Sequence, residues 1–181
     1  MLDEVIIAGF GGQGVLLMGR LIAYAGMLEG KKVAWMPSYG PEMRGGTANC
    51  TVIVSSDEVA SPVVPNPITL IAMNKPSLDK FEPEVEKGGT IILNESLISQ
   101  NVKRNDVQVF KVPANEIANE LGNLRVANMV ALGAYVAARK TVKIETILRA
   151  LEETLEKKSE KIVELNKKAI KKGETIVTQN Q

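Results

Sequence analysis

A short apolar run, Val5-Ile6-Ile7-Ala8, leads directly into Gly9-Phe10-Gly11-Gly12-Gln13-Gly14 and then into the apolar segment from Val15 to Leu28. The first run reads as a strand and the last as a long helix. Gly9, Gly11 and Gly14 satisfy the spacing G-x-G-x-x-G in the context that spacing requires, strand before and helix after. Such a turn gathers free backbone N–H groups and the positive end of a helix dipole at one point, which suits a phosphate or carboxylate. The same glycines also serve a plain tight turn with close packing, so the motif alone leaves both roles open.

A dinucleotide site needs a second element, an Asp or Glu about 20 residues on at the end of the next strand. That strand is predicted over Lys32-Val33-Ala34-Trp35-Met36 and runs into Pro37-Ser38-Tyr39 without an acid. Glu29 has the right count but belongs to the end of the preceding helix. A free-standing nucleotide-binding oxidoreductase is therefore the weaker alternative.

The 181 residues contain no histidine and one cysteine, Cys50. The usual general base, the commonest zinc ligand and every histidine-based triad are thereby missing. One thiol cannot hold an iron–sulfur cluster or close an internal disulfide. Neither a catalytic residue nor a metal ligand set is assigned, and Cys50, inside a strand, is expected to be buried and inert. A net charge of +1 gives no global attraction to nucleic acid or to an anionic membrane. The start Met1-Leu2-Asp3-Glu4 is acidic where a secretory signal is basic. Val15 to Leu28 is too short, and too interrupted by Arg20 and glycines, to span a bilayer. A soluble cytoplasmic protein is the expectation.

Further along, strands are predicted over Thr47–Ser55, Ile68–Met73, Thr90–Asn94 and Val107–Val112, with a proline-bearing connection from Ser61 to Pro67. Pro76 fits the first turn of a helix that ends before Gly88-Gly89. Gly19 and Gly26 fall on one side of the first helix, where they can admit a close neighbour, and Gly30 is placed as its C-cap. Helices are predicted over Asn123–Lys140, along the stripe Ile144, Ile147, Leu148, Leu151 and Leu155, and from Ser159 to a stop at Gly173. Strands that lack strict alternation, interleaved with helices, predict one domain over residues 1–181. Its fold class is α/β: a three-layer α/β/α sandwich, Rossmann-like, around a mainly parallel sheet.

The segment Pro37-Ser38-Tyr39-Gly40-Pro41-Glu42-Met43-Arg44-Gly45-Gly46 is too rich in proline and glycine for a regular element. It leaves the second strand at the carboxyl edge of the sheet, the edge of the Gly9–Gly14 turn, so the two glycine-rich segments are expected to converge. Arg44 is the natural anion ligand there, because its fork binds two oxygens at once. Arg44 pairing with Glu42 to pin the loop is the competing role. Tyr39 suits packing as well as binding, and Asn128 is assigned to packing or capping.

These two segments, together with Asn128-Met129-Val130-Ala131-Leu132-Gly133, closely resemble the gamma subunit of 2-oxoacid:ferredoxin oxidoreductases, of the 2-oxoglutarate or ketoisovalerate type. The resemblance extends over essentially the whole chain. It implies an α/β/α domain of an assembly that decarboxylates a 2-oxoacid, with 2-oxoglutarate the expected substrate. Such assemblies use thiamine diphosphate, pass electrons through iron–sulfur clusters to ferredoxin, and release acyl-coenzyme A. Thiamine diphosphate and the clusters are then expected on alpha, beta and, where present, delta subunits. This chain is expected to bind no cofactor by itself and to contribute to a coenzyme A site. Gly9, Gly11, Gly12, Gln13, Gly14, Tyr39, Arg44, Gly45 and Gly46 are the candidate contacts. The alternative within the family is a purely architectural subunit whose same loops dock a partner. Isolated, the chain is a candidate homodimer through an apolar face that partners normally cover.

Overall fold

The computed structural model describes residues 1–39, 47–59 and 61–179. Its elements are β1 (Leu2–Phe10), α1 (Val15–Leu28), β2 (Lys32–Tyr39), β3 (Thr47–Ser55), β4 (Thr69–Ala72) and α2 (Lys75–Phe81), followed by β5 (Thr90–Asn94) and β6 (Gln108–Val112). Four helices complete the chain: α3 (Ala114–Glu120), α4 (Ala127–Arg139), α5 (Ile144–Thr154) and α6 (Glu160–Gln179). The strands form one sheet in the order β2-β3-β1-β4-β5-β6. β1 pairs in parallel with β4, β4 with β5 and β5 with β6. β3 runs against both β1 and β2, so every strand except β3 points the same way.

The sheet is covered on both faces, which is why β1 reads as a continuous apolar run. Val5 and Ile7 are fully buried among residues of α1, α4, α5 and α6. Ile6 and Ala8 turn to the other face, against Leu78 and Phe81 of α2 and Val85 just beyond it. Each buried Val, Ile, Leu or Phe side chain here contributes about 1.5–3 kcal/mol on burial. The result is the predicted three-layer α/β/α sandwich with a mostly parallel sheet. α1 sits close on β2 and β3: a Cβ at Gly26 would lie 2.7 Å from Val33 Cγ1, and one at Gly19 would lie 2.5 Å from Cys50 Sγ.

Two predicted boundaries are corrected. The second strand does not stop at Met36; it continues through Pro37 to Tyr39, paired residue by residue with β3. A proline is tolerated there because β2 is the edge strand, and its missing N–H needs no partner on the open side. The last helix does not stop at Gly173; α6 runs on to Gln179. Gly173 is buried where α6 crosses α4, and an added Cβ would overlap the Val130 carbonyl. It serves close helix approach rather than capping. The predicted helix from Asn123 is also subdivided. Asn123 caps a 3₁₀ turn over Leu124–Val126, and α4 proper follows.

At the edge of the sheet opposite the strands' carboxyl ends, Asp3 is 1 % exposed and collects four donor side chains. It accepts from Thr69 Oγ1 at 2.8 Å, Thr141 Oγ1 at 2.6 Å and Tyr135 OH at 3.0 Å, and pairs with Arg139 at 3.3 Å. Burial and the Asp3 carboxylate together push the Tyr135 phenol well above its ordinary range, so it stays a donor. The cluster ties β1 and β4 to α4 and the segment after it.

Candidate functional site

The carboxyl ends of β1, β2, β4, β5 and β6 share one rim, where ligands of open α/β sheets are held. The glycine turn opens this rim. Gly12 has φ 95° and Gly14 φ 72°, a region that only glycine enters freely, and both angles are needed to bend β1 into α1. Gln13 clamps the turn from inside. Its Oε1 accepts the Phe10 N–H at 2.6 Å and Asn74 Nδ2 at 3.3 Å, and its Nε2 donates to the Met73 carbonyl at 3.4 Å. Gly9 leaves room for that clamp: a Cβ there would stand 2.6 Å from Gln13 Oε1. Gly11 continues the turn between Phe10 and Gly12 without lying in a helix or strand.

Gly14 N-caps α1 with no side-chain cap, and the first turn of α1 carries no acid. Its α-carbon faces Asn128, whose side chain occupies the space a Cβ would need and whose Nδ2 donates to the Gly14 carbonyl at 3.4 Å. Asn128 therefore packs α4 against the turn, in line with the packing role expected of it. A cleft of about 170 Å³ lies between them, lined among others by Gly12, Gln13, Met73, Asn115, Arg125 and Asn128. Among the described residues, no carboxylate lines it.

Phe10 pairs with Thr47 and Tyr39 with Ala48, so the described ends of the two glycine-rich segments are anchored next to one another at the start of β3. Arg44, Gly45 and Gly46 lie outside the described residues, as does Glu42; Tyr39 is placed by its backbone at the end of β2. Sequence patterns do not single out Asn74, Asn94, Asn115 or Arg125 at this rim. Each is an isolated polar residue, and only the parallel sheet brings them to the turn.

Glu29 is remote from this site. It sits at the far end of α1, paired with Lys31 at 2.7 Å and accepting the Lys143 N–H at 2.7 Å. Partial burial works to raise its carboxyl, but the bonds from Lys31 and Lys143 outweigh it and hold the group below the ordinary carboxylate range. It cannot serve as a ribose-binding acid. Cys50 is fully buried beneath α1, and burial pushes its thiol up to about 12, far from a reactive thiolate. Among the described residues, no three metal-ligating side chains come together, and no helix is long and apolar enough to cross a membrane.

A family model described as pyruvate ferredoxin/flavodoxin oxidoreductase matches residues 4–176. Ketoisovalerate oxidoreductase subunit VorA of Methanothermobacter marburgensis is 43 % identical over 171 residues, 94 % of this chain. The chain spans only 35 % of that relative's length. The 2-oxoglutarate synthase subunit KorC of Methanocaldococcus jannaschii is 34 % identical over 176 residues, 96 % of this chain and 92 % of the relative. A crystal structure of a keto/oxoacid ferredoxin oxidoreductase gamma subunit from Geobacter sulfurreducens superposes with a TM-score of 0.82 at 31 % identity, covering 98 % of this chain and 99 % of that one.

Proposed function

The chain belongs to the pyruvate ferredoxin/flavodoxin oxidoreductase family as a gamma-type subunit, and we propose that it works there as a non-catalytic partner. The assembly would oxidatively decarboxylate a 2-oxoacid to an acyl-coenzyme A and CO2 while reducing ferredoxin. Its role would be to help hold coenzyme A at the interface, through the Gly9–Gly14 turn and the segment carrying Tyr39, Arg44, Gly45 and Gly46. The observation that carries this reading is the end-to-end match with KorC and with a solved gamma subunit, in a chain with no histidine and a single buried thiol. A chain with one cysteine cannot hold an iron–sulfur cluster, so in this reading the clusters and thiamine diphosphate fall to alpha, beta or delta partners. The residues present fit an anionic coenzyme. The turn exposes backbone donors, α1 has no acid in its first turn, and among the described residues no carboxylate lines the cleft.

The architectural reading draws on a different observation. β2 has one open edge, and Trp35 and Met36 along it are 39 % and 40 % exposed. A free edge with exposed apolar side chains is suited to a neighbouring chain. Both readings require partners.

The test is affinity purification of the tagged full chain under anaerobic, native conditions. It is expected to bring down chains carrying thiamine diphosphate and the visible absorbance of iron–sulfur clusters. Recovery of the chain alone from cells that contain such an enzyme would contradict the assignment. Relatives of both the ketoisovalerate and the 2-oxoglutarate type match. We favour 2-oxoglutarate, and comparing rates of the purified complex on the two acids decides between them.

A further inference from the structure

We infer that the open edge of β2, with the apolar groove beside it, takes an extended segment of a partner chain: a short, nearly continuous apolar run with an Asp or Glu placed to meet Arg20. The inference rests on the reading of this chain as a subunit that requires partners, and it names the face and the kind of segment that covers it.

The two edges of the sheet differ. β6 exposes Gln108 and Lys111, the polar and charged side chains that blunt an edge. In the middle of β2 the exposed side chains are Trp35 and Met36, which point to opposite faces of the sheet. Pro37 turns its nitrogen to the open side, so the alternation of the strand turns the N–H and C=O groups of Val33 and Trp35 the same way. No other strand of the sheet lies beyond them. A segment laid along this edge both donates to and accepts from Val33 and Trp35, and meets only a carbonyl at Pro37, which fixes its register.

On the α1 side of the edge lies a groove of about 520 Å³, lined among others by Arg20, Tyr24 and Met27 of α1, Trp35 of β2 and Glu153 of α5. Met27 is 60 % exposed. The groove has the size of an ordinary binding pocket, about 300–1,000 Å³. Trp35 is held against α1 at Gly19, where an added Cβ would stand 2.9 Å from the indole Nε1. On the other face of the same strand stands Met36. A strand added here therefore meets apolar side chains on both faces, which calls for an unbroken apolar run rather than strict alternation.

The groove's charges are unequally committed. Glu153 accepts from Tyr24 OH through one oxygen and from Arg149 Nε, at 2.8 Å, through the other. Arg20 is exposed and has no ion-pair partner among the described residues. The charge left over is a guanidinium, and its match is a carboxylate. The same charge speaks against a second copy of this chain as the occupant. Because Gly19 packs on Trp35, Arg20 stands level with the middle of β2. A twofold axis pairing β2 with its copy there would bring two guanidinium groups together. With Trp35 opposite its own copy, Pro37 would also fall opposite Val33 and leave that carbonyl without a donor.

The test compares amide hydrogen exchange, read by mass spectrometry, in the full chain alone and in the complex recovered on its affinity tag. Peptides spanning β2 are expected to exchange at least about tenfold more slowly in the complex than in the isolated chain. Measured against the partner chains separated from that complex, Arg20→Glu is expected to weaken binding about ten- to a hundredfold, with Arg20→Lys close to wild type. Met27→Asp, which puts a charge into the apolar groove, is expected to weaken binding as well. Arg20 and Met27 are both exposed, so an unchanged thermal midpoint shows that each variant is folded. A complex that assembles while β2 exchanges as fast as in the isolated chain overturns this inference and leaves the subunit reading standing. Unchanged affinity in both Arg20→Glu and Met27→Asp does the same. Slow exchange of β2 in the isolated chain, with a dimeric mass by light scattering, makes a second copy the occupant and also overturns it. If the wild type recovers no partner chain, the subunit reading falls and the inference falls with it.

Discussion

Replacing Asp3 by alanine is expected to lower the free energy of unfolding by about 3–5 kcal/mol, because it removes one partner of a buried ion pair and leaves the others unmatched. Thr69, Thr141 and Tyr135 would each keep a buried hydroxyl without its acceptor, and Arg139 would lose its carboxylate. The Arg139 side chain is 23 % exposed and can turn partly to water, which places the loss within that range rather than above it. Asp3→Asn keeps an acceptor in the same volume but not the charge, and should recover part of the loss. For a chain of this size each kcal/mol moves the thermal midpoint by about 2–4 °C, so the two variants are readily ranked by thermal unfolding. An alanine variant as stable as wild type would show that the cluster does not hold this edge together.

The second large effect is expected at the crossing of α4 and α6. A Cβ on Gly133 would overlap the Ile170 carbonyl, and one on Gly173 would overlap the Val130 carbonyl, so each glycine lies against backbone that cannot turn aside as a side chain can. Substituting alanine for a helical glycine ordinarily gains about 1 kcal/mol of helix propensity. Here the overlap outweighs that gain, and Gly133→Ala is expected to destabilise the fold. Gly133→Val should cost about 3 kcal/mol, at the upper end of what overpacking does. Because Gly133 and Gly173 share one contact, the double alanine variant should cost less than the sum of the two single ones. Denaturant midpoints of the wild type, both single alanine variants and the double variant test this, and a stabilised Gly133→Ala would refute the close-contact account.

Features that depend on neighbours in the chain are legible in the sequence itself. The strand, turn and helix around Gly9–Gly14 rest on residues close in sequence; of the two left-handed glycines in the turn, Gly14 belongs to the spacing motif and Gly12 stands between its glycines. The two-sided burial of β1 follows from its unbroken apolar run. Features that depend on what lies opposite are not legible in this way. Pro37 reads as a strand end unless one knows that β2 is the outermost strand. Gly173 follows two lysines and reads as a helix stop unless one knows that Gly133 faces it. The same holds at the site. Gly12 precedes Asn115 and Arg125 by about a hundred residues, and the parallel order of β1, β4, β5 and β6 brings them to one rim. No periodicity or motif marks Asn115 or Arg125 in the sequence. The segment with Arg44 is conspicuous in composition and lies outside the described residues.

The most direct test of the central claim, a subunit without chemistry of its own that completes a site made with partners, is an anaerobic omission assay. Thiamine- and cluster-bearing partners are combined with and without this chain, and 2-oxoacid- and coenzyme A-dependent reduction of ferredoxin is followed. The account predicts no turnover by the chain alone, little or no acyl-coenzyme A from the partners without it, and restoration when it is added back. Turnover by the chain alone, or full coenzyme A-dependent activity from the partners without it, would contradict the account.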